Sequence, residues 1–267
     1  MFFSLIVVSL NSGEKLKKSL ESALSQSFTD FEIILKDGNS TDDSFDRARE
    51  LLKDPRIKVY RESDEGIYDA MNQAVQYASG DYVYFLNCGD YLYDTDTLQK
   101  VAEAIQKDGR ENLILYGNMY HQYTEAIVTH SPVIDGFTCY RNVPCHQACF
   151  FPRSLCRKKP FDISYKIRAD YEHFLWCFYH GKASFFYLPE VLASYEGGGF
   201  SETKENKKRS KREHSRITEY YMTSGELFRY KAILFLTLAP LRTRMADSKH
   251  FSKLYNAIRA FVYRIKA

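Results

Sequence analysis

The stretch GDYVYFLNCGDYLYD, Gly80 to Asp94, joins an apolar run directly to a polar turn. Residues 82–86 are Tyr, Val, Tyr, Phe and Leu, a composition that favours a strand inside the core. Residues 87–90 follow at once as Asn, Cys, Gly and Asp, so the strand ends on the carboxylate of Asp90. This pattern predicts a ligand-binding turn, with a plain β-turn before the next helix as the alternative.

The residues around this stretch alternate strand and helix patterns over the first half of the chain. Strands are predicted at Phe3 to Ser9, Phe31 to Leu35, Ile57 to Tyr60, Tyr82 to Leu86 and Leu113 to Tyr116. Helices are predicted after an N-cap at Ser12, from Asp42-Asp43 to before Asp54, from Gly66 to Ala78 and from Thr95 to Ile105. Strands separated by helices indicate right-handed βαβ units. The sequence therefore predicts an α/β fold with a mostly parallel, doubly wound sheet.

Polar or acidic residues follow each of the first four predicted strands. They are Ser9-Leu10-Asn11, Lys36-Asp37-Gly38, the run from Glu62 to Glu65, and the run from Asn87 to Asp90. In an open parallel sheet, ligands bind beyond the carboxyl ends of the strands. Any one of these acidic residues would also fit a helix cap or a turn. Because all four sets arrive at one edge, the sequence predicts a binding site there.

Several known sequence motifs are absent, which argues against some kinds of chemistry at this site. The chain has no GxxxxGK[ST], no GxGxxG after the first strand, no HExxH and no GxSxG, which argues against P-loop, dinucleotide, zinc-protease and α/β-hydrolase chemistry. An acidic edge would repel a phosphorylated ligand unless a divalent cation bridged the two. Mg²⁺ or Mn²⁺ prefers oxygen ligands and keeps positions open for phosphate. Asp90 is therefore the candidate metal ligand.

The charge is distributed unevenly along the chain. Residues 1–199 carry 21 Lys and Arg against 28 Asp and Glu, whereas residues 200–267 carry 16 against 6. The second segment contains LYNAIRAFVYRIKA, with apolar residues at helical spacing among Lys and Arg. A basic amphipathic helix suits an anionic membrane face rather than nucleic acid. The alternative is a terminal helix that packs its Leu254 to Ile265 stripe on the domain.

The apolar runs and the cysteines indicate the cellular compartment in which we expect the protein. No apolar run reaches the ~20 residues of a membrane-spanning helix, and the opening FFSLIVVSL reads as a buried strand. The six cysteines form no CxxC pair, and Cys145 and Cys149 around His146 lack further ligands for zinc. We expect free thiols and a cytoplasmic protein, attached peripherally to the inner face of the cell membrane.

Four segments together resemble the family 2 inverting glycosyltransferases with the GT-A fold. They are SLIVVSLN, FEIILKDGNSTDDS, SDEGIYDAMNQAVQYASGDYVYFLNCGD and ADYEHFL. The resemblance is strong from Phe3 to Asp90, weaker to about Gly199 and absent beyond. It implies a GT-A-like nucleotide-sugar transferase domain at 1–200 and a basic helical tail at 201–267. Enzymes of this kind build bacterial capsular or exopolysaccharide.

The resemblance also assigns roles to residues. Its nucleotide-binding positions correspond here to Ser9, Asn11, Asp37, Gly38, Asp64, Gly66, Asp69, Asn72 and Asn87. The FLNCGD turn takes the place of the family's DxD motif, in which two aspartates are common. Here Asn87 and Gly89 leave Asp90 as the single acidic residue of the turn, so Mn²⁺ or Mg²⁺ would be shared with the donor phosphates.

The remaining roles concern the acceptor. An inverting transfer needs a carboxylate that takes the proton of the attacking hydroxyl. The motif resembling RADYEHFL nominates Asp170, with Glu172 as second choice, and His146 and Gln147 match positions near the acceptor. Asp170 would equally suit a first-turn helix carboxylate. Gly197 to Gly199 with Ser201 would form the hinge of a loop that closes over the donor.

The predicted function is transfer of a hexosyl or N-acetylhexosaminyl unit from a nucleotide sugar, a UDP-sugar by family prevalence, to a saccharide or polyprenyl-linked acceptor. Two alternatives remain open. A sugar-1-phosphate nucleotidyltransferase also uses a doubly wound sheet and Mg²⁺, but SLNSGEKLKKS is a poor match to its Gly- and Arg-rich loop. A catalytically inactive membrane scaffold is the non-enzyme alternative.

Overall fold

The structure is a computed structural model and describes residues 1–197, 203–246, 248 and 251–266. The strands are β1 (Phe3–Ser9), β2 (Phe31–Asp37), β3 (Ile57–Arg61), β4 (Tyr82–Asn87), β5 (Tyr91–Leu92), β6 (Leu113–His121), β7 (Ala126–Val128), β8 (Cys149–Pro152) and β9 (Ser184–Tyr195). The helices before the tail are α1 (Glu14–Leu24), α2 (Ser44–Ala48), α3 (Ile67–Tyr77), α4 (Thr97–Asp108), α5 (Gly136–Arg141), α6 (Arg153–Lys158) and α7 (Ala169–Tyr179). The tail forms α8 (Lys204–Tyr221), α9 (Ser224–Leu236), α10 (Ala239–Ala246) and α11 (Ser252–Lys266).

One sheet runs through the molecule in the order β3-β2-β1-β4-β8-β6-β9-β5, with β7 paired to β6. The strands β3, β2, β1 and β4 are mutually parallel, so their carboxyl ends share one edge as predicted. β8 runs antiparallel to both of its neighbours, and β6 pairs with β9 in parallel. The polar segments that follow the first four strands therefore meet at one border.

Both faces of the sheet are covered, which explains why β1 and β2 are continuously apolar. Leu5 and Val7 pack into the cluster with α1 and α4, whereas Ile6 and Val8 pack into the cluster with α3 and α7. A strand buried on both faces needs no apolar–polar alternation. This arrangement confirms the predicted α/β class with helices on both sides.

Three local predictions were wrong. The helix α1 begins at Glu14 with Gly13 as its N-cap residue, at a positive φ of 52°, and not with Ser12. The helix after β2 spans five residues only, Ser44–Ala48. HQACFF is not one strand: its first three residues form a 3₁₀ turn, His146–Ala148, because the Ala148 N–H bonds back to the Cys145 carbonyl.

The tail is helical, but its first helix belongs to the body of the molecule. Glu213 on α8 accepts the backbone N–H groups of residues 166–168, directly before α7. Ile217 of α8 is fully buried. Throughout the described ranges, the helices are all too short or too polar to cross a bilayer. All six cysteines are free thiols.

Candidate active site

Strand pairing brings three of the predicted nucleotide-binding residues next to each other. Ser9, the last residue of β1, is the register partner of Asp37, the last residue of β2. On its other side β1 pairs Val8 with Asn87, the last residue of β4. The strand ends thus form a continuous row from Asp37 through Ser9 to Asn87.

Asp37 holds together the two loops that rim this row. Its carboxylate is fully buried and accepts the Ser40 N–H at 2.8 Å, the Ser40 hydroxyl at 2.5 Å and Arg61 Nε at 3.2 Å. The Ser40 hydroxyl oxygen in turn accepts the Asn11 N–H at 2.8 Å. Asn11 has a left-handed backbone (φ 49°) and its side-chain oxygen accepts the Thr41 N–H. A carboxylate and an asparagine thereby fix the conformation of the loops after β1 and β2.

A buried lysine organises the neighbouring segment. The side chain of Lys36 is fully buried, and its Nζ donates to the Glu62 carbonyl and lies 3.5 Å from Asp64 Oδ2. Asp64 Oδ1 accepts the Gly66 N–H at 3.0 Å. A Cβ on Gly38 would come within 2.8 Å of Asp64 Oδ2, so the close approach of this carboxylate to the end of β2 requires glycine. Asp64 and Gly38 are therefore in contact at the predicted nucleotide edge.

The two remaining nominated residues of α3 serve its own geometry. Asp69 Oδ2 accepts the Glu65 N–H and the side-chain amide of Gln73. Asn72 bonds the backbone of Phe161 with both amide atoms, at 2.8 and 2.9 Å. These contacts occupy Asn72 in joining α3 to the loop before α7, away from the row of strand ends.

The turn after β4 buries its carboxylate. Asp90 is 4% exposed, and its two oxygens accept the Glu196 N–H at 2.9 Å and Gln147 Nε2 at 3.0 Å. Burial raises the pKa of Asp90 to about 6, although these hydrogen bonds favour the charged form. The side chain of Ser19 on α1 bonds the backbone of the turn at Gly89 and Asp90. The turn is therefore held from three directions.

A hydrogen-bonded chain leads from this turn to α7. Asn87 Nδ2 lies 3.3 Å from His146 Nε2, and His146 Nδ1 lies 2.8 Å from Asp170 Oδ2. Asn87 Oδ1 is buried and has no hydrogen-bond partner among the described residues. The 3₁₀ turn at residues 146–148 makes this chain possible, because it directs His146 to Asp170 and Gln147 to Asp90. The structure therefore brings together the predicted base Asp170, the predicted acceptor residues His146 and Gln147, and the turn that carries Asp90.

Asp170 lies in the first turn of α7 with its side chain about one quarter exposed (26%). Its Oδ1 accepts the Tyr68 hydroxyl at 3.0 Å and the Tyr171 N–H at 2.8 Å. Burial disfavours the charged carboxylate, but His146 and these further donors outweigh it and hold the pKa of Asp170 below its usual range. Asp170 is therefore ionised at neutral pH.

Glu172, the second choice for the base, lies elsewhere. Its carboxylate accepts Lys159 Nζ at 2.9 Å and the Tyr221 hydroxyl at 2.5 Å. Residues two apart on a helix point to different faces, and here the second face packs against α8. The structure joins Asp170, and not Glu172, to the chain that begins at Asn87.

Comparison with known proteins identifies the family. The sequence model described as "Glycosyl transferase family 2" matches residues 4–157, more than half of the chain. The chain belongs to glycosyltransferase family 2. It is 36% identical over 214 residues to the PGL/p-HBAD biosynthesis glycosyltransferase of Mycobacterium tuberculosis, covering 79% of this chain and 83% of that protein. It is 25% identical over 182 residues to chondroitin synthase of Escherichia coli, covering 64% of this chain and 26% of that protein.

Solved structures show the same fold. TarS 1–349 of S. aureus, in complex with UDP-GlcNAc, matches with a TM-score of 0.65 and 19% identity over 84% of this chain and 68% of that one. The mannosyltransferase PcManGT of Pyrobaculum calidifontis, in complex with GDP-Man and Mn²⁺, matches with a TM-score of 0.58 and 14% identity over 99% and 86%. These likenesses confirm the GT-A fold predicted from the sequence.

Two residues of this family 2 glycosyltransferase site, Tyr68 and Glu196, were not predicted from the sequence. Tyr68 was part of the quoted α3 segment, but its pattern position is that of a core aromatic. Glu196 follows β9 and donates its N–H to Asp90, while its carboxylate pairs with Lys15 at 2.7 Å. The contacts of Tyr68 with Asp170 and of Glu196 with Asp90 each join residues about a hundred positions apart. No local sequence pattern predicts such contacts. Of the predicted hinge, Gly197 is described, whereas Gly198, Gly199 and Ser201 lie outside the described residues.

The residues at the turn fit a divalent cation only in part. In the portion of the chain that the structure describes, no three His, Cys, Asp or Glu side chains are grouped as metal ligands. Asp90 offers a hard carboxylate, and the unpaired oxygen of Asn87 lies on the same turn. Such a donor set suits a cation that takes its other ligands from a bound diphosphate.

Proposed function

We propose that this glycosyltransferase moves a sugar, with inversion, from a nucleoside-diphosphate donor to a saccharide or polyprenyl-linked acceptor in cell-surface polysaccharide synthesis. The observation that carries the proposal is the chain Asn87–His146–Asp170. It places an ionised carboxylate within two hydrogen bonds of the turn that replaces the family's DxD motif. A base beside the donor site is what an inverting displacement requires.

The donor would lie along the row of strand ends. We propose that Ser9, Asn11, Asp37, Gly38 and Asp64 line the nucleoside pocket. Support comes from the fixed loop geometry around Asp37 and from TarS, whose solved complexes contain UDP-GlcNAc and UDP. A UDP-sugar with a hexosyl or N-acetylhexosaminyl group is the proposed donor.

Asp90 would hold Mn²⁺ or Mg²⁺ together with the donor diphosphate. PcManGT, solved with GDP-Man and Mn²⁺, supports a divalent ion in proteins of this fold. A bound cation supplies charge neutralisation for the departing diphosphate. Gln147 and the Glu196 N–H hold the Asp90 carboxylate in one orientation.

Asp170 would act as the general base. One Oδ2 lone pair remains after the three donors around the carboxylate are counted, and the side chain is partly open to solvent. That oxygen takes the proton of the acceptor hydroxyl as the hydroxyl oxygen bonds to the anomeric carbon. The bond from that carbon to the diphosphate breaks on the opposite side, and the configuration inverts.

The tail would attach the enzyme to an anionic membrane face, where a polyprenyl-linked acceptor is found. In α11, Ser252 and Asn256 are buried at spacing i, i+4, whereas Leu254, Ile258 and Phe261 are each more than half exposed. The helix therefore turns a polar side inward and an apolar side outward, the reverse of a helix that packs on its domain. Exposed apolar residues flanked by Lys and Arg suit the interface of an anionic bilayer.

The test of the proposed reaction combines binding and turnover of the full chain. We expect UDP with Mn²⁺ to raise the unfolding temperature, and a UDP-sugar with a lipid-linked acceptor to release UDP and give the inverted anomer. Asp170→Asn should bind UDP normally and lose turnover by roughly 10²- to 10⁴-fold. Glu172→Gln, a carboxylate change two residues away on the same helix, should retain turnover.

Other outcomes would point to the alternatives. Pyrophosphate release from a nucleoside triphosphate and a sugar 1-phosphate would identify a nucleotidyltransferase. UDP binding without turnover, across UDP- and GDP-sugars with Mn²⁺ and acceptor, would favour the inactive scaffold.

A further inference from the structure

His146 has a position that the proposed reaction does not yet explain. Its side chain is 13% exposed and lies between Asn87 and Asp170, bonding one with each ring nitrogen. Of the three donors to the Asp170 carboxylate, His146 alone also contacts the turn on the donor side. A residue in direct contact with the acceptor would leave one ring nitrogen free, and His146 leaves none.

The partners of His146 fix the orientation of its ring. The ionised carboxylate of Asp170 can only accept, so His146 Nδ1 carries a proton and donates to Oδ2 at 2.8 Å. The other ring nitrogen, Nε2, lies 3.3 Å from the side-chain amide of Asn87.

We propose that His146 is a positioning residue that orients the base Asp170, and that Asn87 holds the ring from its other side. The inference rests on the proposed function. The hydrogen bond from His146 Nδ1 fixes the direction of the carboxylate and leaves the second Oδ2 lone pair free to accept a proton.

Apart from His146, the titratable side chains that interact with Asp170 carry no charge at neutral pH. The other titratable side chains that interact with Asp170 are Tyr68 on α3, Cys145, Cys149 on β8 and His173 on α7. Burial raises the pKa of the two thiols and the phenol and lowers that of His173 to about 4, so these groups are uncharged at neutral pH. Arg168 donates to Ser210, and Glu213 is held by backbone N–H groups.

The experiment compares two variants of the full chain, using the UDP-sugar that gives turnover. His146→Ala should lower kcat roughly 10- to 100-fold, because the carboxylate loses its orientation, with little change in the KM for the donor. Its acid limb in the kcat–pH profile should move to higher pH, because the lost hydrogen bond raises the pKa of Asp170. His146→Asn, whose amide nitrogen falls near Nδ1, should recover most of kcat and return the limb.

An unmoved acid limb in His146→Ala would overturn the proposal, as would a His146→Asn variant as impaired as His146→Ala. Unfolding temperature and UDP binding separate these results from a folding defect. ¹⁵N NMR of the imidazole gives a readout without turnover: a proton on Nδ1 supports the proposal, and protonation on Nε2 alone overturns it. Wild-type turnover with a normal His146→Ala variant overturns this inference alone, whereas a silent wild type overturns the proposed function.

Discussion

At the scale of single residues, close backbone approach fixes the strand that carries the site. Gly80 precedes β4 and donates its N–H to the Ser4 hydroxyl at 2.8 Å. A Cβ at this position would lie 2.5 Å from the carbonyl carbon of Phe3 and 2.6 Å from the Ser4 nitrogen. Those are backbone atoms, which cannot rotate away as the end of a side chain can.

Gly80→Ala should therefore destabilise the protein by about 1–3 kcal/mol, because β1 and β4 must separate to admit the methyl group. Chemical denaturation measures the loss. Gly225→Ala is the matched control, since a Cβ at Gly225 meets nothing within 4 Å and should leave stability almost unchanged. Equal midpoints for the two variants would contradict the packing argument.

At the scale of elements, one buried carboxylate joins the parallel strands at the edge opposite the site. Glu32 on β2 accepts from Ser4 of β1, from both the N–H and the hydroxyl of Ser79, and from Lys58 of β3. Burial alone would raise the pKa of Glu32, but these donors lower it to about 2. The folded protein therefore stabilises the ionised carboxylate of Glu32 more than the unfolded chain does.

This difference predicts acid sensitivity with a definite sign. The stabilisation is complete above the unfolded pKa of 4.5 and is lost as the pH falls through about 2. The shift corresponds to roughly 3 kcal/mol. Glu32→Gln should be less stable at pH 7 and should show a flatter dependence of unfolding free energy on pH below 4.5. If the variant kept the wild-type slope of unfolding free energy against pH in acid, other carboxylates would be responsible for the acid sensitivity.

At the scale of the whole molecule, the helices of the tail differ in how they contact the body. α8 supports α7 through Glu213, whose carboxylate holds the segment that leads to Asp170. Beyond it, α9 and α11 leave large apolar side chains such as Phe235 and Phe261 exposed by 81% and 65%. We propose that the membrane-contacting part of the tail begins after α8.

Removal of residues 251–267 should release the enzyme from anionic vesicles, lowering the bound fraction by roughly tenfold or more at moderate salt. The triple change Leu254→Ser, Ile258→Ser and Phe261→Ser should act similarly, because it removes the outward apolar side and keeps the charge. Val133→Ser, which removes another exposed apolar side chain (55%) from the body, is the control. Unchanged sedimentation of the truncated chain would rule out this surface as the anchor.

Some segments of secondary structure could be predicted from the sequence, and others could not. Apolar runs and their polar ends predicted β1, β2 and β4 to within two residues, because strand burial depends on local composition. The HQACFF segment was interpreted as a strand, since its composition is apolar. Only the bond from the Ala148 N–H to the Cys145 carbonyl, within a turn packed against β4, sets its first half as a 3₁₀ helix.

The sequence by itself determined the parallel sheet, its polar edge, the family and the carboxylates worth considering, because these follow from periodicity and short motifs. Tertiary structure alone decided which carboxylate joins the site. Asp170 meets His146 across 24 positions and Tyr68 across 102, while Glu172, two residues on, faces Lys159 and α8. The direction of each side chain on α7 and the contact of Tyr68 on α3 with Asp170 make that choice, and both depend on contacts between segments far apart in the chain.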